Sequence, residues 1–157
     1  MTSAPVLYAE DDENDVFLLE RAFVRAGVSN PLQTVGDGAS ALRYLAGTDE
    51  FVDRTRFPLP CLALLDLNLP RKSGLEILQW IRASAEVRGL PVILLTSSHQ
   101  ARDIRAAYAL GANGYLVKPA SAEKLVELVA ALRDTCLIPD GPVRGWLDLK
   151  GNLPPPA

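Results

Sequence analysis

The chain has 157 residues, 48% of them apolar and 22% charged, which suits one domain with its own core and excludes a largely disordered protein. Sixteen Lys and Arg against nineteen Asp and Glu leave a net charge of -3, no field for holding a polyanion, so no nucleic-acid ligand is expected. No apolar run approaches the roughly 18 residues of a membrane span, and no basic-then-apolar leader opens the chain, so a soluble, cytoplasmic protein is expected.

In chain order, Val6-Leu7-Tyr8-Ala9 reads as a short buried strand that stops at the acids Glu10, Asp11 and Asp12. Val16, Leu19, Phe23 and Ala26 then recur at helical spacing, with Gly27 as a stop. Leu32 to Val35 is a weaker strand, and Ala41, Leu42 and Leu45 mark a short helix ending near Gly47. Residues 48–60 read as a loop-like insert with mixed charge and two prolines, Pro58 and Pro60. Cys61 to Leu65 is continuously apolar, as in a parallel strand covered on both faces, and ends in Asp66. A polar loop through Pro70 and Gly74 leads to a helix carrying Leu75, Leu78 and Ile81. Pro91 to Leu95 is another strand, ending at Thr96, and Ile104, Ala107 and Tyr108 belong to the next helix. Tyr115 to Val117 is the last strand, ending at Lys118-Pro119, and Ser121 caps a final helix with Leu125, Leu128, Val129 and Leu132 as its buried stripe.

Five strands alternating with five helices predict a doubly wound, five-stranded parallel sheet of α/β class, flavodoxin-like, with order 2-1-3-4-5. The domain is expected over residues 5–134. Residues 135–157 form an extension in which Trp146, Leu147 and Leu149 stand among prolines, and these apolar side chains must cover either their own domain or a second subunit. A homodimer held partly by this tail is the expectation.

Ligands of open parallel sheets bind outside the carboxyl ends of the strands. Here those ends carry Glu10-Asp11-Asp12, Asp66, Thr96 and Lys118. With the first and third strands adjacent, their carboxylates converge, and such groups must protonate, separate or bind a cation. An all-oxygen donor set suits Mg²⁺. Ammonium, hydroxyl and metal would then surround a position beside Asp66 where a phosphoryl group could be neutralised from three sides. The two cysteines, Cys61 and Cys136, and the lone His99 make no zinc cage; Cys61 and Cys136 read as small core residues and His99 as surface.

Four motifs in order, Glu10-Asp11 after an apolar strand, Leu65-Asp66-Leu67-Asn68-Leu69-Pro70 with Gly74 beyond, Leu95-Thr96-Ser97-Ser98, and Tyr115-Leu116-Val117-Lys118-Pro119, give the chain a resemblance to the receiver domains of two-component response regulators. The insert, the 68–74 loop and Gly111-Ala112-Asn113 look more narrowly like single-domain regulators that partner phytochrome-type histidine kinases. The resemblance implies that Asp66 is the phosphoacceptor. It implies Mg²⁺ held by Asp11, by Glu10 through water, by Asp66 and by the Asn68 carbonyl. Lys118 would pair with the acyl phosphate, Thr96 and Ser97 would meet phosphoryl oxygens, and Tyr115 would turn inward in the active state. A cis Lys118-Pro119 bond is also implied. Three acids in a row leave a second register open, with Asp11 and Asp12 as the acidic pair. The family reading is a signalling module rather than an enzyme, apart from Mg²⁺-dependent self-phosphorylation and dephosphorylation. The alternative is a Mg²⁺-dependent phosphatase working through an aspartyl phosphate, against which Asn68 stands where a general acid would be needed. A flavin-binding domain would need a neutral phosphate loop where this chain has acids.

Overall fold

The computed structural model describes residues 3–137. The order of elements is β1 (Val6–Ala9), α1 (Glu13–Arg25), β2 (Leu32–Val35), α2 (Gly38–Ala46), β3 (Leu62–Leu65), α3 (Gly74–Ala83), β4 (Val92–Thr96), α4 (Ala101–Ala109), β5 (Gly114–Val117) and α5 (Ala122–Thr135). All strand pairs are parallel, in the order β2-β1-β3-β4-β5, as expected. Each expected element is present. The tail residues Trp146, Leu147 and Leu149, and with them the expected dimer contact, lie outside the described residues.

Side-chain alternation along the strands divides the core in two. Leu7 and Ala9, Ala63 and Leu65, Val92 and Leu94, and Tyr115 face one side, where Ala41, Leu45, Ile77, Leu78, Ile81 and Ala107 of α2, α3 and α4 meet them. Val6 and Tyr8, Leu62 and Leu64, Ile93 and Leu95, and Leu116 face the other, against Leu19 and Phe23 of α1 and Leu128, Val129 and Leu132 of α5. Burial on both faces is why these strands read as continuous rather than alternating apolar runs. No helix among the described residues is long and apolar enough to cross a membrane.

The 48–60 segment is more ordered than its composition suggested. Asp49–Phe51 forms a 3-10 turn, and Phe51 and Phe57 pack edge-on with ring centroids 5.1 Å apart, both against Tyr44 of α2. Arg54 donates to the carbonyls of Tyr44 at 2.7 Å and Leu45 at 2.8 Å, satisfying the open C-terminal end of α2.

Candidate functional site

Among the described residues the buried polar or charged side chains are Glu10, Asp66 and Thr96, exposed by 3%, 7% and 0%. All three stand at carboxyl ends of strands. Glu10, Asp66 and Lys118 each follow directly after β1, β3 and β5, and the main-chain ladder continues through them. The Glu10 N–H donates to the Val35 carbonyl at 3.0 Å, Asp66 to Ala9 at 3.1 Å and Lys118 to Thr96 at 2.8 Å. Alternation therefore still applies, and the three side chains leave the sheet on the side that α1 and α5 cover. Thr96, in register with Val92 and Leu94, leaves on the other.

The Lys118 ammonium donates to Asp66 Oδ2 at 2.8 Å, to Asp15 Oδ2 at 2.8 Å and to Glu10 Oε1. Its three N–H donors thus meet three carboxylates. Asp11 is exposed, yet Glu10, Asp11 and Asp66 offer carboxylate oxygens within 4.8 Å of one another. Hard, charged oxygen donors so spaced, one open to solvent, fit Mg²⁺, which keeps several of its waters.

Burial comes first among the influences on Glu10 and, with the neighbouring Asp66, lifts its carboxyl to about 7 despite the hydrogen bond from Lys118. Burial also opposes ionisation of Asp66, but hydrogen bonds from Lys118 and Glu10 outweigh it, and Asp66 is held below the usual carboxylate range. Burial would depress Lys118, yet Asp15, Asp66 and Glu10 together hold it above the usual lysine range. Asp66 is consequently the more acidic member of the pair and Glu10 the less acidic.

Asp12 has another task. Its carboxylate accepts from Asn14 N at 2.8 Å and Asp15 N at 3.1 Å as the N-cap of α1, which takes it out of the cluster and favours the Glu10-Asp11 register. Asn68 is exposed, and its N–H donates to Asp66 Oδ1 at 3.2 Å, fixing the carboxylate's rotation. Gly74 lies against the Asp66 main chain: a Cβ there would stand 2.3 Å from the Asp66 carbonyl oxygen.

On the other face the fully buried Tyr115 is turned inward, donating to the Ser98 carbonyl at 2.9 Å, and Thr96 Oγ1 accepts from Ser98 N at 3.4 Å. Ser97 is exposed, as is His99. The Lys118-Pro119 peptide is trans, against the cis expectation. An X-Pro bond prefers trans by about 0.5–1 kcal/mol, and the lysine's reach is already set by its main-chain bond to Thr96 and its three carboxylate partners.

Sequence reasoning missed two members of the site. Asp15 falls three residues after the N-cap, where an acid reads as an ordinary first-turn residue. Tyr8, whose hydroxyl donates to Glu10 Oε1 at 3.1 Å, read only as core. Its position two residues before Glu10, on the same strand face, was the available signal. The Ser73-Glu76 capping box that starts α3 beside the Asp66 loop was likewise readable from its spacing and passed over.

The response regulator receiver domain family matches residues 6–130. Response regulator Rcp1 of Synechocystis sp. is 33% identical over 127 residues, covering 81% of this chain and 84% of that protein. Its Mn²⁺-bound crystal structure superposes with a TM-score of 0.74 at 32% identity, covering 83% of this chain and 92% of that one. The phosphorylated cyanobacterial phytochrome response regulator RcpA gives a TM-score of 0.79 at 32% identity, over 86% of this chain and 94% of that one. A response regulator in red light signaling of R. palustris gives 0.77 at 39% identity, over 82% and 91%.

Proposed function

The chain belongs to the response regulator receiver domain family, whose members work with histidine kinases, and from that premise we propose that Asp66 is its phosphoacceptor. The observation that carries the proposal is the buried, ionised Asp66 carboxylate bonded to Lys118 at 2.8 Å beside two further acids. A carboxylate oxygen of Asp66 attacks the phosphorus of a phosphohistidine, a P–O bond forms as the P–N bond breaks, and the electron pair returns to the imidazole ring. Glu10, Asp11 and Asp66, with the Asn68 carbonyl, would hold Mg²⁺, which neutralises phosphoryl oxygens when bound. Asn68 N–H keeps Asp66 rotated for attack, and Lys118 redirects a donor to the incoming phosphoryl group. Thr96 and Ser97 are proposed to meet another phosphoryl oxygen, with Tyr115 hydrogen-bonded to the Ser98 main chain beyond them.

The partner kinase is proposed to be of phytochrome type, which the likeness to RcpA supports. Self-phosphorylation from small donors and self-dephosphorylation belong to the same proposal. So does a homodimer in which Trp146, Leu147 and Leu149 take part, checked by light scattering of the full chain against a variant with all three replaced by Ala. The decisive experiment on the site is incubation with acetyl phosphate and Mg²⁺ followed by intact-mass analysis. One phosphoryl adduct is expected on the wild type and none on Asp66→Asn; an undiminished adduct on that variant would place the nucleophile elsewhere.

A further inference from the structure

Of the three carboxylates around Lys118, Asp15 differs in kind. Glu10 and Asp66 belong to the group of oxygens that can close on one cation, whereas Asp15 does not. It is carried by α1 rather than by the sheet, and its bond to the ammonium, 2.8 Å, equals that of Asp66. Its side chain is 32% exposed against 9% for Asp66, so it stands on the outer side of the lysine. A cavity of about 40 Å³, lined by Tyr8, Asp15, Leu18, Lys118 and Pro119 among others, adjoins the lysine. The ammonium therefore has in Asp15 an acceptor outside the group of oxygens that can close on a cation, with a small cavity beside it.

Resting on the reading of Glu10, Asp11 and Asp66 as a divalent-cation site, we propose that Asp15 is a positioning residue acting through Lys118. It keeps the ammonium when a cation takes over Glu10 and Asp66. A cation and an ammonium cannot share those oxygens without strong repulsion. With Asp15 present, cation entry moves one charge a short way onto a standing counter-ion. Without it, the ammonium must stay on the cluster and compete, or give up its partners altogether. Asp15 also leaves Lys118 held by one bond and with two donors available for a phosphoryl oxygen.

The test is a double-mutant cycle on Mg²⁺ affinity, measured by calorimetry on the full chain. Asp15→Asn is expected to raise the Mg²⁺ dissociation constant about three- to ten-fold, and by less than about two-fold when Lys118 is already Met. A second readout is the ¹⁵N ammonium resonance of Lys118 in lysine-labelled protein. It should persist in Mg²⁺-loaded wild type and be lost to exchange with water in Mg²⁺-loaded Asp15→Asn. Asp15 acting only as a first-turn acid of α1 would lower thermal stability equally in both backgrounds and leave the cycle flat, and that result overturns the proposal. No Mg²⁺ binding by the wild type would remove the cation-site reading as well, whereas normal wild-type binding with a flat cycle removes only the role of Asp15.

Discussion

The sheet carries a partly buried side-chain cation at each end, and the two are held by different kinds of acceptor. At the amino end of β4, Arg82 donates to the carbonyls of Gly111 at 2.8 Å, Arg88 at 3.0 Å and Leu90 at 2.7 Å, and to Asn113 Oδ1 at 2.9 Å. Asn113 Oδ1 also accepts from Val92 N at 2.9 Å, so one guanidinium ties the α3–β4 and α4–β5 connections to the start of a strand. At the carboxyl end Lys118 meets only carboxylates. Burial lowers the Arg82 pKa, whereas that of Lys118 is raised against the effect of burial. Neutral main-chain acceptors cannot be recruited by anything without unmaking the loops that carry them. Carboxylates can change partner while the backbone stays where it is. One end of the sheet is thereby fastened and the other left exchangeable.

The contrast can be broken at either end. Arg82→Ala should have the largest effect, a loss on the order of 2–4 kcal/mol from several stranded carbonyls, read as a lower urea midpoint. Phosphoryl uptake by the folded fraction should be unchanged; a large loss of uptake at normal stability would contradict the assignment of Arg82 to architecture. Lys118→Met should cost about 1–3 kcal/mol in ion-free protein at neutral pH, because Glu10 and Asp66 are left facing each other, and Mg²⁺ should restore most of it. A loss that Mg²⁺ does not relieve would put Lys118 in the same class as Arg82.

Acidity sharpens the comparison further. Glu10 titrates at about 7 in the folded protein against the usual 4.5, so the folded state holds this proton more tightly than the unfolded chain. Its contribution is fully present below about 4.5 and is lost as pH rises through about 7. Asp66, shifted the other way, acts only at lower pH, where its contribution disappears as the carboxylate protonates. Thermal melts of ion-free protein from pH 5 to 8 should therefore decline, Glu10→Gln should flatten the decline, and Mg²⁺ affinity should rise over the same interval as the proton is displaced. The smallest effect is expected from Asp11→Asn. Being exposed, it should stabilise ion-free protein by about 0.5 kcal/mol or less while weakening Mg²⁺ binding. A clear loss of stability would make Asp11 a structural acid.

The architecture was legible because its signals are local. Continuous apolar runs such as Leu62 to Leu65, each closed by a polar residue, state both the strand and the end that carries chemistry. The acids, the threonine and the lysine were legible for the same reason. Apart from Tyr8 and the Ser73-Glu76 box, whose local signals were passed over, what escaped detection depends on partners remote in the chain. Asp15 and Lys118 are 103 positions apart, and neither position announces the other. Arg82 and Asn113 are 31 apart, and an arginine in a last helical turn has an ordinary explanation of its own. The 48–60 segment read as loop because its order comes from Phe51, Phe57 and Arg54 meeting Tyr44 and the end of α2, a tertiary arrangement that periodicity does not encode.

The loop between Asp66 and α3 has no clearance on either side. A Cβ on Gly74 would stand 2.3 Å from the Asp66 carbonyl oxygen, and one on Gly38, at the start of α2, would stand 2.0 Å from that of Lys72. A part fitted without play cannot take up a displacement; it can only hand it on. Chemistry at Asp66 that shifts its main chain by even a fraction of an ångström must therefore be felt at the first turns of both α2 and α3, and a single methyl group at either glycine would jam the train.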